Sequence, residues 1–165
     1  MKTILPLISS ILFFIIGINF SFGQEEEPIV NVEYYSPSCL TAPEGFETRD
    51  GFPGYINIST KSSIVLSLVK NKTLVDAEAA MSEEYFTKEK VTLVSKEQVE
   101  TTNHEKGILY KFKFQINGED WLRYSLFLGD LSNVLWVNAN YMEKYKSVVE
   151  EELLRSILTT KFNAK

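Results

Sequence analysis

Residues 106–142 read Lys-Gly-Ile-Leu-Tyr-Lys-Phe-Lys-Phe-Gln-Ile-Asn-Gly-Glu-Asp-Trp-Leu-Arg-Tyr-Ser-Leu-Phe-Leu-Gly-Asp-Leu-Ser-Asn-Val-Leu-Trp-Val-Asn-Ala-Asn-Tyr-Met, and this stretch decides the fold. Ile108, Tyr110, Phe112, Phe114 and Ile116 recur at period two, with Lys111, Lys113 and Gln115 between them. That alternation predicts a strand with one buried side. Asn117-Gly118 then separates it from a second alternating run. Asn-Gly accepts the positive φ that both central positions of a type I′ turn require, so a tight hairpin is expected here. In the second run Leu122, Tyr124, Leu126 and Leu128 share one side, while Trp121, Arg123, Ser125 and Phe127 share the other. After the turn signals Gly129-Asp130 and Ser132-Asn133, a third run sets Leu135, Val137, Ala139 and Tyr141 opposite Val134, Trp136, Asn138 and Asn140. Three antiparallel strands in a row are expected.

Outward from this meander, residues 29–35 predict a short first strand, followed by turns at Pro37, Pro43 and Phe52-Pro53-Gly54. Residues 55–58 and 63–69 predict two more strands, the latter with apolar residues on both sides and so central in its sheet. The period changes after Asn71. Thr73-Leu74-Val75-Asp76 has capping-box spacing, and Ala77, Ala80, Met81 and Tyr85 follow at threes and fours, predicting a helix over residues 74–87. Residues 91–101 return to strand. Tyr145, Val149, Leu153 and Ile157 are spaced by four, predicting a closing helix over residues 144–160. Its apolar stripe needs an apolar surface, and Leu122, Tyr124, Leu126, Leu135 and Val137 offer one. Strands, a helix, four strands and a helix make an α+β fold, an antiparallel β-sheet with two main helices packed on it.

The chain begins with Met1-Lys2, continues with nearly unbroken apolar residues 4–22, and places Ser21 and Gly23 before Gln24 as small residues of a cleavage site. This is the pattern of a secretory signal peptide over residues 1–23, leaving residues 24–165 as a single α+β domain. A membrane anchor is the competing reading, since about 20 apolar residues can span a bilayer. Pro6, the interruption at residues 17–19 and Glu25-Glu26-Glu27 directly after the cleavage site favour cleavage. The protein is therefore expected to be secreted or periplasmic, with no stable membrane insertion after cleavage. The 17 basic residues then lose Lys2 while all 22 acidic ones remain, so a formal charge of −5 becomes −6. Nucleic acid is excluded as a partner, because phosphate binding needs a concentrated basic surface. Cys39 is the single cysteine and can form no internal disulfide. It is expected buried and inert, the alternative being a bridge to another chain.

The order of elements resembles the PsbP-like α/β sandwich family, in which Pro43-Glu44-Gly45-Phe46 matches an opening Pro-x-Gly-Phe-type turn. The closing run Leu153-Leu154-Arg155-Ser156-Ile157-Leu158-Thr159-Thr160-Lys161-Phe162 matches a terminal helix with an apolar close. The richness in Ile, Lys, Asn and Phe suggests an AT-rich bacterial genome, which makes Asn57-Ile58-Ser59 and Asn71-Lys72-Thr73 accidental sequons. The resemblance implies a non-enzymatic binding or assembly module, some relatives being exported. No motif matches the ligand residues of the photosystem members, so none is carried over.

Chemistry is sparse. His104 is the only histidine, which excludes a zinc site built on paired histidines, and it sits in a polar stretch expected to be a solvated loop. No phosphate loop, EF-hand or nucleophile elbow occurs. Neither cofactor nor metal is expected, and the chain reads as a non-enzyme. Glu119-Asp120 beside Asn117 are more economically explained by the hairpin tip than by calcium. The strongest functional candidate is a sheet side turned away from the helices, gathering Lys111, Lys113, Trp121, Arg123, Phe127, Trp136, Asn138 and Asn140. Trp and Arg bury area while keeping a polar handle, which suits contact with a protein or a cell-envelope component. In the competing reading, Trp121 and Trp136 are covered and form the second half of the core. A different class of function, a small hydrophobic-ligand carrier, would need a pocket between sheet and helices lined by Tyr110, Phe112, Tyr124 and Tyr141.

Overall fold

The computed structural model describes residues 32–162; the signal-peptide reading of residues 1–23 lies outside them. Strands β1 (Val32–Tyr34), β2 (Gly54–Asn57) and β3 (Ser62–Lys70) come first, followed by helices α1 (Leu74–Ala80) and α2 (Glu83–Glu89). Then come β4 (Thr92–Glu100), β5 (Lys106–Ile116), β6 (Glu119–Gly129), β7 (Asn133–Met142) and α3 (Lys146–Ile157). The strands form one antiparallel sheet in the order β1-β3-β7-β6-β5-β4, with β2 beside β1 on the same edge of β3. The predicted meander is present. Asn117 and Gly118 both take positive φ, 52° and 80°, closing the β5–β6 hairpin as the Asn-Gly pair requires. β3 is central, paired on both edges.

The expected helix over residues 74–87 is two helices. Met81 leaves helical geometry at φ −80°, ψ 64°, and the Ser82 side chain accepts a hydrogen bond from Tyr85 N, starting α2 afresh. Thr73 heads α1 with a complete capping box, its hydroxyl taking Asp76 N while Asp76 takes Thr73 N. Hydrogen bonds donated by the Thr73 backbone N and then by its hydroxyl hold the Asp76 carboxyl below its usual range.

Register sorts the sheet into two sides. Paired residues point the same way, so Leu66, Val137, Leu126 and Leu109 share one side with Ile64, Ala139, Tyr124 and Lys111. α3 covers this side with Val149, Leu153 and Ile157, all buried against it. It is the surface that the closing helix was expected to occupy.

The opposite side carries α1 and α2, with Phe86 of α2 5.4 Å from the Phe112 ring and Glu78 of α1 bridged to Lys96 of β4 at 2.6 Å. Helices therefore lie on both sides of the sheet rather than on one. The reason lies in β5, whose aromatic residues point away from α3 and need a cover of their own. Gly54 allows β2 to reach β3: a Cβ there would stand 1.9 Å from Ile64 O.

Candidate functional site

The residues singled out from the sequence fall on two different sides. A two-residue turn pairs Ile116 with Glu119, and the register carries through to Phe114–Trp121, Phe112–Arg123 and Tyr110–Ser125. Lys111 and Lys113 pair instead with Tyr124 and Leu122 and so point to the α3 side, a correction to their expected place beside Trp121. Their aliphatic stems run along the sheet while their ammonium groups reach carboxylates at its rim. Lys111 Nζ lies 2.5 Å from Glu150 Oε1 and Lys113 Nζ lies 2.7 Å from Glu143 Oε2.

The other six, Trp121, Arg123, Phe127, Trp136, Asn138 and Asn140, do come together, on the α1–α2 side. They are not an open surface. Trp121 is 8% exposed, Trp136 5% and Arg123 7%. This corrects the expected solvent-facing side in favour of the competing reading, in which Trp121 and Trp136 are covered and belong to the second half of the core: aromatic rows stack across the strands and helices lie over them. Phe127 stacks on Trp136 at 5.5 Å, Tyr110 meets Phe127 edge-on at 5.8 Å, and Tyr110 stacks on Phe112 at 5.8 Å.

Between the aromatic rows lies a polar floor. Reading across β3, β7, β6 and β5, one row is Ser67, Trp136, Phe127, Ile108 and the next is Val65, Asn138, Ser125, Tyr110. The third is Ser63, Asn140, Arg123, Phe112, and the last is Met142, Trp121, Phe114. Two mixed rows are thus bracketed by Trp136–Phe127 on one flank and Trp121–Phe114 on the other. Arg123 Nε donates to Asn140 Oδ1 at 2.6 Å, and its guanidinium lies 5.0 Å from the Phe114 ring. Ser125 Oγ donates to Asn138 Oδ1 at 2.6 Å, and Asn140 Nδ2 reaches Ser63 Oγ at 3.5 Å. Burial pulls the Arg123 pKa down, opposed by the nearby Tyr85 and Glu89. Burial likewise pushes the Tyr85 hydroxyl up to about 12. The sequence named Arg123 and both asparagines and put Ser125 on their side without counting it in the site, but missed Ser63 and Tyr85; only the strand register and the helix placement reveal those two.

The carrier pocket is also corrected. Tyr110 and Phe112 face α1 and α2 whereas Tyr124 and Tyr141 face α3, so the sheet itself separates the four residues. Tyr141 is fully buried and donates to Glu150 Oε1 at 2.5 Å. A shallow cavity of about 370 Å³ lies elsewhere, lined by Tyr35, Cys39, Asn103, Thr159 and Lys161 among others. Its polar groups mostly stitch the chain together: Lys161 N donates to Cys39 O, Thr41 N to Thr159 Oγ1 and Asn103 Nδ2 to Thr159 O. Cys39 is half-buried rather than buried, and burial pushes its thiol up to about 11, keeping it protonated. The His104 side chain is exposed and bonds Glu100 Oε1 at 2.9 Å. Glu119 pairs with Lys144 and Asp120 with Lys113, at 3.0 and 3.3 Å. Among the described residues no group of three His, Cys, Asp or Glu could hold a metal ion, and no helix is long and apolar enough to cross a membrane.

No family model matches the sequence and no curated protein aligns with it. Solved structures do match. Cyanobacterial PsbP (CyanoP) from Synechocystis superposes with a TM-score of 0.54 at 8% identity, over 87% of this chain and 99% of that one. LpqN of Mycobacterium tuberculosis, a protein involved in cell envelope biogenesis, gives 0.50 at 8% identity, over 79% of this chain and 83% of that one. A Bacteroides thetaiotaomicron structure gives 0.52 at 13% identity over 81% of this chain; the match spans 48% of that longer protein. At such identities the likeness concerns the backbone path alone. The chain has the PsbP-like α+β fold, an antiparallel sheet with three helices packed on it.

Proposed function

We propose that this protein is an exported, non-catalytic binding module that serves the cell envelope. Fold alone does not assign a function. The observation that carries the reading is the floor on the α1–α2 side, where Arg123, Asn138, Asn140, Ser125 and Ser63 are gathered between two tryptophans at 8% exposure or less. Packing under a helix layer is ordinarily apolar, and a polar set there adds little to stability even when, as here, its members hydrogen-bond one another. Export rests on the signal-peptide pattern of residues 1–23, and the envelope setting on the fold shared with LpqN.

The test follows the full chain in its host. Fractionation is expected to place a form trimmed near Gln24 in the envelope fraction or the medium, and chemical cross-linking there is expected to capture an envelope component. Untrimmed chain confined to the cytosol would overturn the reading.

A further inference from the structure

The α3 side of the sheet is lined by Ile64, Leu66, Leu126, Val137, Ala139 and Tyr141, as a helix-covered layer should be. Its opposite side breaks that rule with six polar residues at 7% exposure or below: Ser63, Ser67, Arg123, Ser125, Asn138 and Asn140. They are contiguous across β3, β7 and β6, and flanked by aromatic rows. A guanidinium fork beside amide and hydroxyl groups is suited to carboxylate or phosphate, and the flanking rings suit an apolar body.

Resting on the binding-module reading, we propose that this floor is a site for an amphiphilic anion, a carboxylate or phosphate on an apolar chain. The anionic group meets Arg123 and Asn140 in place of Tyr85 and Glu89, the α2 groups that face the guanidinium in the closed state, and the chain lies along the Trp136–Phe127 and Trp121–Phe114 flanks. Entry requires α1 and α2 to shift, and they are the part of the fold best able to do so. Each is only seven residues, Met81 breaks the helical path between them, and left-handed residues stand at both ends of the segment, Asn71 at φ 58° and Lys90 at φ 55°. Helices this short have little stability of their own.

The chain's two tryptophans, Trp121 and Trp136, both sit on the flanks of the floor, so intrinsic fluorescence reads the site directly. The full chain is titrated, below micelle concentrations, with decanoate, decyl phosphate and the neutral decanol. A saturable emission change is expected with decanoate or decyl phosphate, and which of the two binds tighter identifies the headgroup. Decanol is expected to bind about tenfold or more weakly, the scale of a lost charged hydrogen bond. Arg123→Met, which keeps the volume, is expected to abolish the preference for the anion; it also strands the Asn140 carbonyl and is expected to melt lower than the wild type. Arg123→Lys, keeping charge without the fork, is expected to bind at intermediate strength. No saturable change with either anion overturns the proposal, as does equal binding of decanol, or an unchanged anion preference in Arg123→Met. If both variants fold poorly, the wild-type contrast between decanoate and decanol decides alone. Should the anions fail while cross-linking still captures an envelope component, this inference falls and the binding-module reading stands.

Discussion

The two sides of this sheet are made by the same four strands, β3, β7, β6 and β5, yet they solve burial differently. On the α3 side β6 and β7 contribute Leu122, Leu126, Leu128, Leu135, Val137 and Ala139, and α3 returns Val149, Leu153 and Ile157. The polar groups of that side are carried by the helix, where Glu150 takes hydrogen bonds from Lys111 and Tyr141 and the buried Ser156 donates to Thr41 O. On the α1–α2 side the polar groups stand in the middle, and the helices above have seven residues each against twelve in α3. One side is apolar at its centre and the other holds a hydrogen-bonded polar network there. That contrast ties the functional reading to the α1–α2 side and makes the α3 side its control.

The largest expected effect lies on the control side. Leu153 is fully buried, and Leu153→Ala is expected to cost about 2–5 kcal/mol, the range for removing most of a buried leucine side chain and leaving a cavity. Urea denaturation would show it as a lower midpoint at unchanged slope. A loss under about 1 kcal/mol would mean that α3 is not the stabilising layer.

Glu150 gives the next effect and a pH dependence. Burial works against its charge, but the hydrogen bonds from Lys111 and Tyr141, with the charges of Lys111 and Lys146, outweigh that and hold the carboxyl below its usual range. A depressed carboxylate stabilises above its unfolded pKa of about 4.3 and loses that contribution as pH falls through the folded value. Lys111 complements it: burial opposes its charge, yet the Glu150 pair wins and raises its pKa, so its contribution fades only on the alkaline side. Glu150→Gln is expected to lose about 1–2 kcal/mol at pH 7, as for a hydrogen bond to a charged group. The melting temperature of the variant should then fall less steeply than that of the wild type between about pH 5 and pH 3. Parallel acid limbs would remove Glu150 from the clamp.

Much of this contrast was legible in the sequence. Period-two alternation split β6 and β7 into their two sides correctly, and the spacing of Val149, Leu153 and Ile157 matched α3 to the Leu122–Val137 surface. β5 misled. Lysine between aromatic residues reads as solvent-facing, so Lys111 and Lys113 were assigned to the open side. The Asn117-Gly118 turn already fixed the answer, since a two-residue loop forces Ile116 opposite Glu119 and hence Lys113 opposite Leu122. Burial on the α1–α2 side was less accessible. Alternation states that two sides differ, not that each has a roof, and the break at Met81–Ser82 that makes α1 and α2 two helices depends on a local cap competing with a continuous helical stripe.

The roof itself can be loosened. Thr73→Ala removes the hydroxyl that takes Asp76 N, and N-cap losses of this kind cost about 1 kcal/mol. If α1 and α2 move as a local unit, hydrogen exchange should quicken across residues 74–89 while amides of β6 and β7 keep their protection. Uniform quickening would show instead that the two sides unfold together.

The smallest expected effect, that of a double variant, is the sharpest discriminator. Ser125 Oγ and Asn138 Oδ1 share a buried hydrogen bond of 2.6 Å. Asn138→Leu alone strands the serine hydroxyl and is expected to cost about 1–3 kcal/mol, the penalty for an unsatisfied buried group. The double variant Ser125→Ala/Asn138→Leu removes both partners and is expected to stay within about 1 kcal/mol of the wild type, since paired polar groups can be replaced by apolar ones at little cost. A double variant as stable as the wild type means that this pair is not needed for folding, as a binding role for the floor expects. A double variant that loses as much as Asn138→Leu alone, or more, would make the hydrogen bond part of the architecture and erase the difference between the two sides.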